Sequence, residues 1–338
     1  MSMEKFQAFM VRKDENGGFQ SGIETLTEDQ LPPGDVTIRV HYSGVNYKDG
    51  LASLPDGKVV TRYPMVPGID LAGEVTQSEH PAFKVGDQVL CTGYGVGTDH
   101  FGGFSEYARL KGEWLVHLPK GLSMREAMGI GTAGFTAALS VDSLIRSGVT
   151  PDSGEVLVTG ATGGVGSFAV SMLSRLGYQV TASTGKLEAQ KEWLTGLGAH
   201  AVVGREDISA PVKGVLATSR WAGVVDPVGG PQLGTLLKSV KYGGGIALSG
   251  LTGGSAFDST VHPFILRGVN LLGIDSVFCP KETRSRVWNL LGSAWKPETA
   301  LSEGLAECGL SELPDVLAAI LRGEAVGRTL LSLESLPE

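Results

Sequence analysis

The chain has 338 residues, 42% of them hydrophobic, which is enough length and apolar surface for two cores. Lys and Arg number 28 against 36 Asp and Glu, a formal net charge of −8 with no basic run or stripe. This argues against a general binder of nucleic acid or anionic membranes and leaves any phosphate binding to local positive charge. The 49 glycines follow no three-residue period, so they read as tight turns of an α/β protein rather than collagen or disorder.

Three widely separated cysteines, Cys91, Cys279 and Cys308, suggest neither a disulfide framework nor a CxxC metal site, and fit a reducing compartment. The opening MSMEKFQAF lacks the apolar core of a signal peptide, and no apolar run is read as approaching the roughly 20 residues that span a bilayer. The expectation is a cytoplasmic protein with no membrane and no nucleic-acid partner.

In chain order, residues 1 to about 127 are strand-rich: FQAFMV, DVTIRVHYSGVN, DLAGEVTQ, DQVLCTG, GFSEYARL and WLVHL alternate apolar and polar positions between Gly, Pro and Asp punctuation. A twisted antiparallel β-domain is expected there. MGIGTAGFTAALSVDSLIRSG then reads as a helix. Strand-like runs follow at 178–182 (YQVTA), AVVG, 222–226 (AGVVD), 244–250 (GGIALSG) and 270–276 (NLLGIDS), with helical spacing between several of them. Strands alternating with helices imply a parallel sheet covered on both faces. KETRSRVWNLLGSAW and LSELPDVLAAILRGEA read as helices, and RTLLSL as a terminal strand.

The most informative run is VLVTGATGGVGSFAVSML, 156–173, a β-type segment that enters a glycine-rich turn and leaves it as a helix. Gly160, Gly163 and Gly166, with Thr162, Gly164 and Val165 between them, suit a sharp turn, close approach to a pyrophosphate and tight helix–strand packing. The spacing is GxxGxxG rather than GxGxxG, so a plain tight turn between strand and helix stays open. About 20 residues on, where ribose discrimination is expected, the chain reads Ser183-Thr184-Gly185-Lys186. A carboxylate there would repel a 2′-phosphate, whereas hydroxyls and the Lys186 ammonium favour one, so NADPH is expected over NADH. Lys186 could instead simply start a solvated helix. Arg205 is a second candidate for the adenosine phosphate. Leu251, Ser276 and Arg328 complete the expected cofactor set; Gly327-Arg328 reads equally well as a simple turn.

Taken together, GVNYKDG, PMVPGIDLAGEV, FGGFSEYARL, GTAGFTAAL, VLVTGATGGVG, LGAHAVVGRED and GRTLLSL, in that order, resemble the medium-chain dehydrogenase/reductase superfamily over essentially the whole chain. TGATGGVGSFAV, STGK, GVNYKD and GIDS are most similar to its zinc-free quinone oxidoreductase branch, in the acryloyl-CoA reductase-like group. The resemblance implies an α/β fold: a Rossmann-type doubly wound parallel sheet at 128–276, plus a β-rich GroES-like catalytic domain from 1–127 and 277–338. It also implies a homodimer paired through the NLLGIDS strand. Zinc relatives carry Cys and His-Glu where this chain has Asn46 and Ile69-Asp70, and a four-cysteine loop where it has only Cys91 and glycines. No metal is therefore expected, although Asp70 and His41 remain ligands in principle.

Without a Lewis acid, a conjugated acceptor is the easier target, because hydride at the β-carbon of an α,β-unsaturated carbonyl gives an enolate that hydrogen-bond donors can hold. Tyr47 is the first choice of donor, since an unperturbed phenol, with a pKa of about 10, is a donor rather than a base at neutral pH. Asn46 is an amide donor or orients the cofactor ribose. A packed Tyr47 and a turn Asn46 remain the alternative, and Asp49 reads as fixing the loop. Lys58, Arg62 and Arg267 are possible partners for the phosphates of an acyl-CoA, although an ordinary solvated surface charge is the better default for each. The small-molecule substrate is expected in a cleft between domains. The function expected is NADPH-dependent reduction of acryloyl-CoA or a related α,β-unsaturated carbonyl, with an NADPH:quinone oxidoreductase or a non-catalytic NADPH-binding sensor as alternatives.

Overall fold

The computed structural model describes residues 5–210 and 212–334. Fifteen strands are described in chain order: β1 Phe6–Lys13, β2 Phe19–Leu26, β3 Val36–Val45, β4 Asp70–Ser78, β5 Gln88–Thr92, β6 Tyr107–Leu110, β7 Val116–His117, β8 Val156–Val158, β9 Val180–Thr184, β10 Ala201–Gly204, β11 Trp221–Asp226, β12 Val240–Leu248, β13 Asn270–Gly273, β14 Leu305–Cys308 and β15 Arg328–Ser332. Four helices matter for the site: α1 Tyr47–Ala52, α2 Met124–Arg146, α3 Gly164–Arg175 and α4 Leu187–Gly196.

The chain divides into two compact units. One comprises residues up to Thr132, Val277–Gly292 and the chain from Leu305 on; the other comprises Ala133–Ser276 and Ser293–Gly304. The sequence pattern sets the first boundary at 127/128, whereas the fold sets it at Thr132/Ala133. It also puts 293–304 in the second unit, where Arg175 on α3 pairs with Glu298 at 2.7 Å.

In the first unit, β1 and β2 form an antiparallel hairpin, and a second sheet runs β14-β15-β3-β4-β5-β7 with β6 also paired to β3. All its pairings are antiparallel except β14 with β15. Val36, Ile38 and Val40, alternate residues of β3 that share one face, pack with Leu71, Val75, Val89 and Cys91. A second cluster joins Phe6, Phe9, Met10 and Val11 of β1 to Phe104, Leu313 and Leu331.

In the second unit all six strands are parallel, in the order β10-β9-β8-β11-β12-β13. All the residues of β8, β9 and β11 are buried, as expected of strands covered on both faces. The order reverses between β8 and β11, and a ligand crevice forms at the carboxyl ends of strands at such a switch point.

Contrary to the expectation that no apolar run approaches membrane-spanning length, α2 is 23 residues long and apolar enough by length and composition to cross a bilayer. It is a core helix instead: 83% of its apolar window is buried, and Gly131 breaks it with φ 50° and ψ −159°.

Candidate active site

The glycine turn is assembled by backbone geometry. Beyond β8, Thr159 N–H donates to Val225 O at 3.0 Å, Gly160 takes φ +53°, and Gly163 N–H closes the turn on Gly160 O at 3.0 Å. α3 then starts at Gly164 with Gly163 as its N-cap, with no side-chain cap and no acidic residue in the first turn. Any Cβ at Gly166 would strike the Gly160 carbonyl oxygen and stand 2.6 Å from Ala161 Cα, so glycine is what lets this helix meet the turn. Gly163 is exposed, and Gly164 and Val165 are half-buried. A 12-residue helix opening this way offers free N–H groups and a positive dipole end, which suits a pyrophosphate.

At the end of β9 the two hydroxyls are covered. Ser183 and Thr184 are 2% and 3% exposed. Ser183 Oγ donates to Gly204 O at 3.5 Å, while Thr184 Oγ1 accepts Lys186 N–H at 3.0 Å and lies 3.3 Å from Thr162 Oγ1. β9 runs through Thr184 between β8 and β10, so both side chains are covered at the carboxyl end of the strand, and their contact with an adenosine phosphate remains an expectation. The cations remain on the surface side. Gly185 is exposed with the Arg205 guanidinium against it, so near that a Cβ would come within 2.6 Å of Nη2, and Lys186 is half-buried at the start of α4. Leu251 lies exposed beyond β12, and Ser276 accepts a hydrogen bond from Thr136 Oγ1 at 2.8 Å.

The first unit holds a buried polar network that no local sequence pattern announces. Asp70, fully buried at the start of β4, takes Thr132 N–H on Oδ2 at 2.9 Å and Thr132 Oγ1 on Oδ1 at 2.5 Å, just after the Gly131 break in α2. Arg328 Nη2 stands 3.5 Å from Asp70 Oδ2. Arg328 also donates to Val45 O, Asn46 Oδ1 and Gly129 O at 2.8, 2.9 and 3.1 Å. Asn46 Nδ2 donates to Asp70 Oδ2 at 2.8 Å and Gly44 O at 3.2 Å. Asp49, also fully buried, accepts Asn46 N–H at 2.8 Å and the N–H groups of Gly68 and Ile69 at 3.2 and 2.9 Å. Burial, reinforced by the neighbouring Asp70 charge, pushes the Asp49 carboxyl up to about 7. Burial pulls the Arg328 guanidinium down from its usual value, against the pull of Asp70 and Asp49.

This network seats Tyr47. Asn46 caps α1 and Tyr47 is its first residue, left 46% exposed.

Residues 32–120 match the family model described as alcohol dehydrogenase GroES-like domain, and residues 164–293 the one described as zinc-binding dehydrogenase. The chain is 49% identical to "Putative quinone oxidoreductase YhfP" of Bacillus subtilis, over 97% of this chain and 99% of that one. It is 47% identical to "Acrylyl-CoA reductase AcuI" of Ruegeria pomeroyi, over 98% of this chain and 100% of that one. The yhdH oxidoreductase from Salmonella enterica, solved in complex with NADP, superposes with a TM-score of 0.93 at 45% identity, covering 97% and 100% of the two chains. Bacillus subtilis yhfP, solved with NAD bound, does so at 0.95 and 49%, covering 97% and 99%.

The chain belongs to the medium-chain dehydrogenase/reductase superfamily.

Within it, the likeness is to the zinc-free acrylyl-CoA reductase-like group. At the positions where zinc members of the superfamily carry ligands, Asn46 and Asp70 are tied to Arg328 and Thr132. His41 is paired with Glu334 at 2.9 Å. Among the described residues no three of His, Cys, Asp and Glu gather in a way that could hold a metal ion.

Both Asn46 amide protons are engaged by Asp70 and Gly44, so in this conformation Asn46 has none for a substrate oxygen and acts as a cap and bridge. Arg328 is 4% exposed and donates through Nε and Nη1 to three acceptors of its own unit, while Nη2 stands 3.5 Å from Asp70 Oδ2 with no hydrogen bond among the described residues. Of the charges read as surface ones, Arg62 pairs with Asp99, while Arg267 is bound to the carbonyls of Ala217, Lys238 and Val240.

Proposed function

We propose that this protein reduces the activated C=C bond of acryloyl-CoA or a related α,β-unsaturated carbonyl, using NADPH and no zinc. The observation that carries this reading is Asp70: the carboxylate nearest to a metal-ligand position is buried against Arg328 and the start of a helix segment, and is committed to structure. NADPH supplies the hydride. The chain's own residues bind its pyrophosphate at the turn of Gly160, Gly163 and Gly166, and its 2′-phosphate through Lys186 and Arg205. The Tyr47 phenol donates to the oxygen on which enolate charge develops. Relatives named for acrylyl-CoA and quinone reduction support hydride transfer to a conjugated acceptor, and quinone reduction is the second reading.

NADPH oxidation followed in parallel with acryloyl-CoA, a simple enone and a quinone tests this. Turnover highest with the thioester supports the first reading, and turnover highest with quinone supports the second. Tight NADPH binding with no turnover overturns both in favour of a sensor.

The oligomer proposed is a homodimer paired through β13. That strand ends the parallel sheet, and the helix just before it, His262–Arg267, leaves Ile265 71% exposed and Leu266 54%. The cytoplasm is the compartment proposed, since Cys91, Cys279 and Cys308 are all free and buried.

A further inference from the structure

Asp226 closes β11, directly across the switch point from the glycine turn that ends β8, and its side chain is fully buried. One oxygen, Oδ1, takes three donors from two different segments. Thr159 Oγ1 donates at 2.5 Å from the entry to the glycine turn, and Val228 and Gly229 N–H donate at 3.1 and 3.2 Å from the loop beyond β11. The other oxygen, Oδ2, is buried with no hydrogen-bond partner among the described residues, as is Ser249 Oγ on the next loop. Folding alone leaves these groups unsatisfied, at a cost in stability that an apolar side chain would not carry.

The surroundings are packed so that the loops cannot slide independently. A Cβ at Gly160 would stand 2.9 Å from Val228 Cγ2, and Gly229 and Gly230 hold left-handed φ of +64° and +71°. Gly253 N–H donates to Val228 O at 2.8 Å, and Ser249 N–H to Asp226 O at 3.0 Å. The glycine turn, the 227–230 loop and the 249–254 loop are thus joined in series, and the Asp226 carboxylate is the side chain that ties the first to the second.

The geometry points to Asp226 as a positioning residue for cofactor binding: it clamps the glycine turn to the loop across the switch point and so sets the shape of the cradle for the dinucleotide. It touches no reacting atom. The inference rests on the cofactor half of the proposed function and is independent of the substrate.

The test is NADPH affinity, read by nicotinamide fluorescence on the full chain, together with steady-state kinetics and thermal unfolding. Asp226→Ala is expected to raise the NADPH Kd and KM about tenfold or more, the scale of a lost charge-assisted hydrogen bond, and to raise KM well beyond any fall in kcat. Asp226→Asn, which keeps an oxygen acceptor, is expected to recover affinity to within about threefold of the parent. A folded Asp226→Ala protein with a lowered Tm and an unchanged Kd overturns the inference, as does Asp226→Asn binding no better than Asp226→Ala. Should Asp226→Ala fail to fold, Thr159→Val removes one donor from the other side of the clamp. A Kd raised about threefold supports the inference, and an unchanged Kd overturns it. A parent protein that binds NADPH but reduces none of the three acceptors sinks the proposed reaction and leaves the clamp standing, whereas one that binds no NADPH sinks the clamp.

Discussion

Asp70 and Arg328 hold opposite charges 3.5 Å apart in the interior of the first unit, with two glycine backbones laid against them. A Cβ on Gly44 would stand 2.6 Å from Arg328 Nη2, and one on Gly131 would meet the same atom at 2.6 Å. Losing one partner strands the other charge without water. Arg328→Met is therefore expected to cost about 3–5 kcal/mol in urea unfolding, and adding Asp70→Asn to recover part of that loss. Equal stability of the parent and Arg328→Met would show that the pair is not the anchor described.

Asp49 makes stability depend on pH. Its folded-state value of about 7 lies above the ordinary 3.8, so the native state binds the proton more tightly than the unfolded chain. The stabilisation from that proton is full below the unfolded value and is lost as pH rises through about 7, a loss of a few kcal/mol in order of magnitude. Urea midpoints measured from pH 5 to 8 should fall with pH in the parent. In Asp49→Asn the slope should flatten, with a constant loss from the weakened bond to Asn46 N–H. The same slope in both proteins would assign the pH dependence to another group.

Tyr47→Phe removes one hydroxyl from a half-exposed ring on a base that is otherwise unchanged. If the phenol donates to the developing oxyanion, single-turnover hydride transfer to acryloyl-CoA should slow by about 10²-fold while the NADPH Kd stays within about twofold. An unaltered hydride-transfer rate would remove Tyr47 from the reaction.

Lys186→Ala and Arg205→Ala should each weaken NADPH binding by about tenfold and leave NADH almost unaffected, so that the double variant loses most of the preference. Gly185→Ala is a further check, since its Cβ would press on the Arg205 guanidinium at 2.6 Å and should weaken NADPH through that arginine. Unchanged ratios of kcat/KM for the two cofactors would place 2′-phosphate recognition elsewhere.

The glycine turn was legible because each of its demands is local: a positive φ at Gly160, a helix start at Gly164 and a close approach at Gly166 leave their mark within seven residues. Buried parallel strands were legible as apolar runs. β2 was not, since Gln20, Ser21 and Glu24 break its apolar pattern and it lies in a two-stranded hairpin. β9 reads as ending at residue 182, whereas its pairing with β10 carries the strand through Thr184, so Ser183 and Thr184 are its last two residues rather than a following loop. The Asp70–Arg328–Asn46 network has no local signature at all. Its members come from β4, β15 and the cap of α1, and only the pairing of β15 with β3 brings Arg328 to the others.

The path of the chain is nested. It passes between the units at 132/133, 276/277, 292/293 and 304/305, so one unit is inserted in the other and a short piece of the host is inserted back. Neither can be cut out as a single stretch of gene. A fragment ending at Thr132 would carry Asp70 without β15 and its arginine, and one spanning 133–276 would carry α3 without the Glu298 that pairs with Arg175. On a ribosome, therefore, the Asp70 charge waits for its counter-ion until β15 and Arg328 have been made.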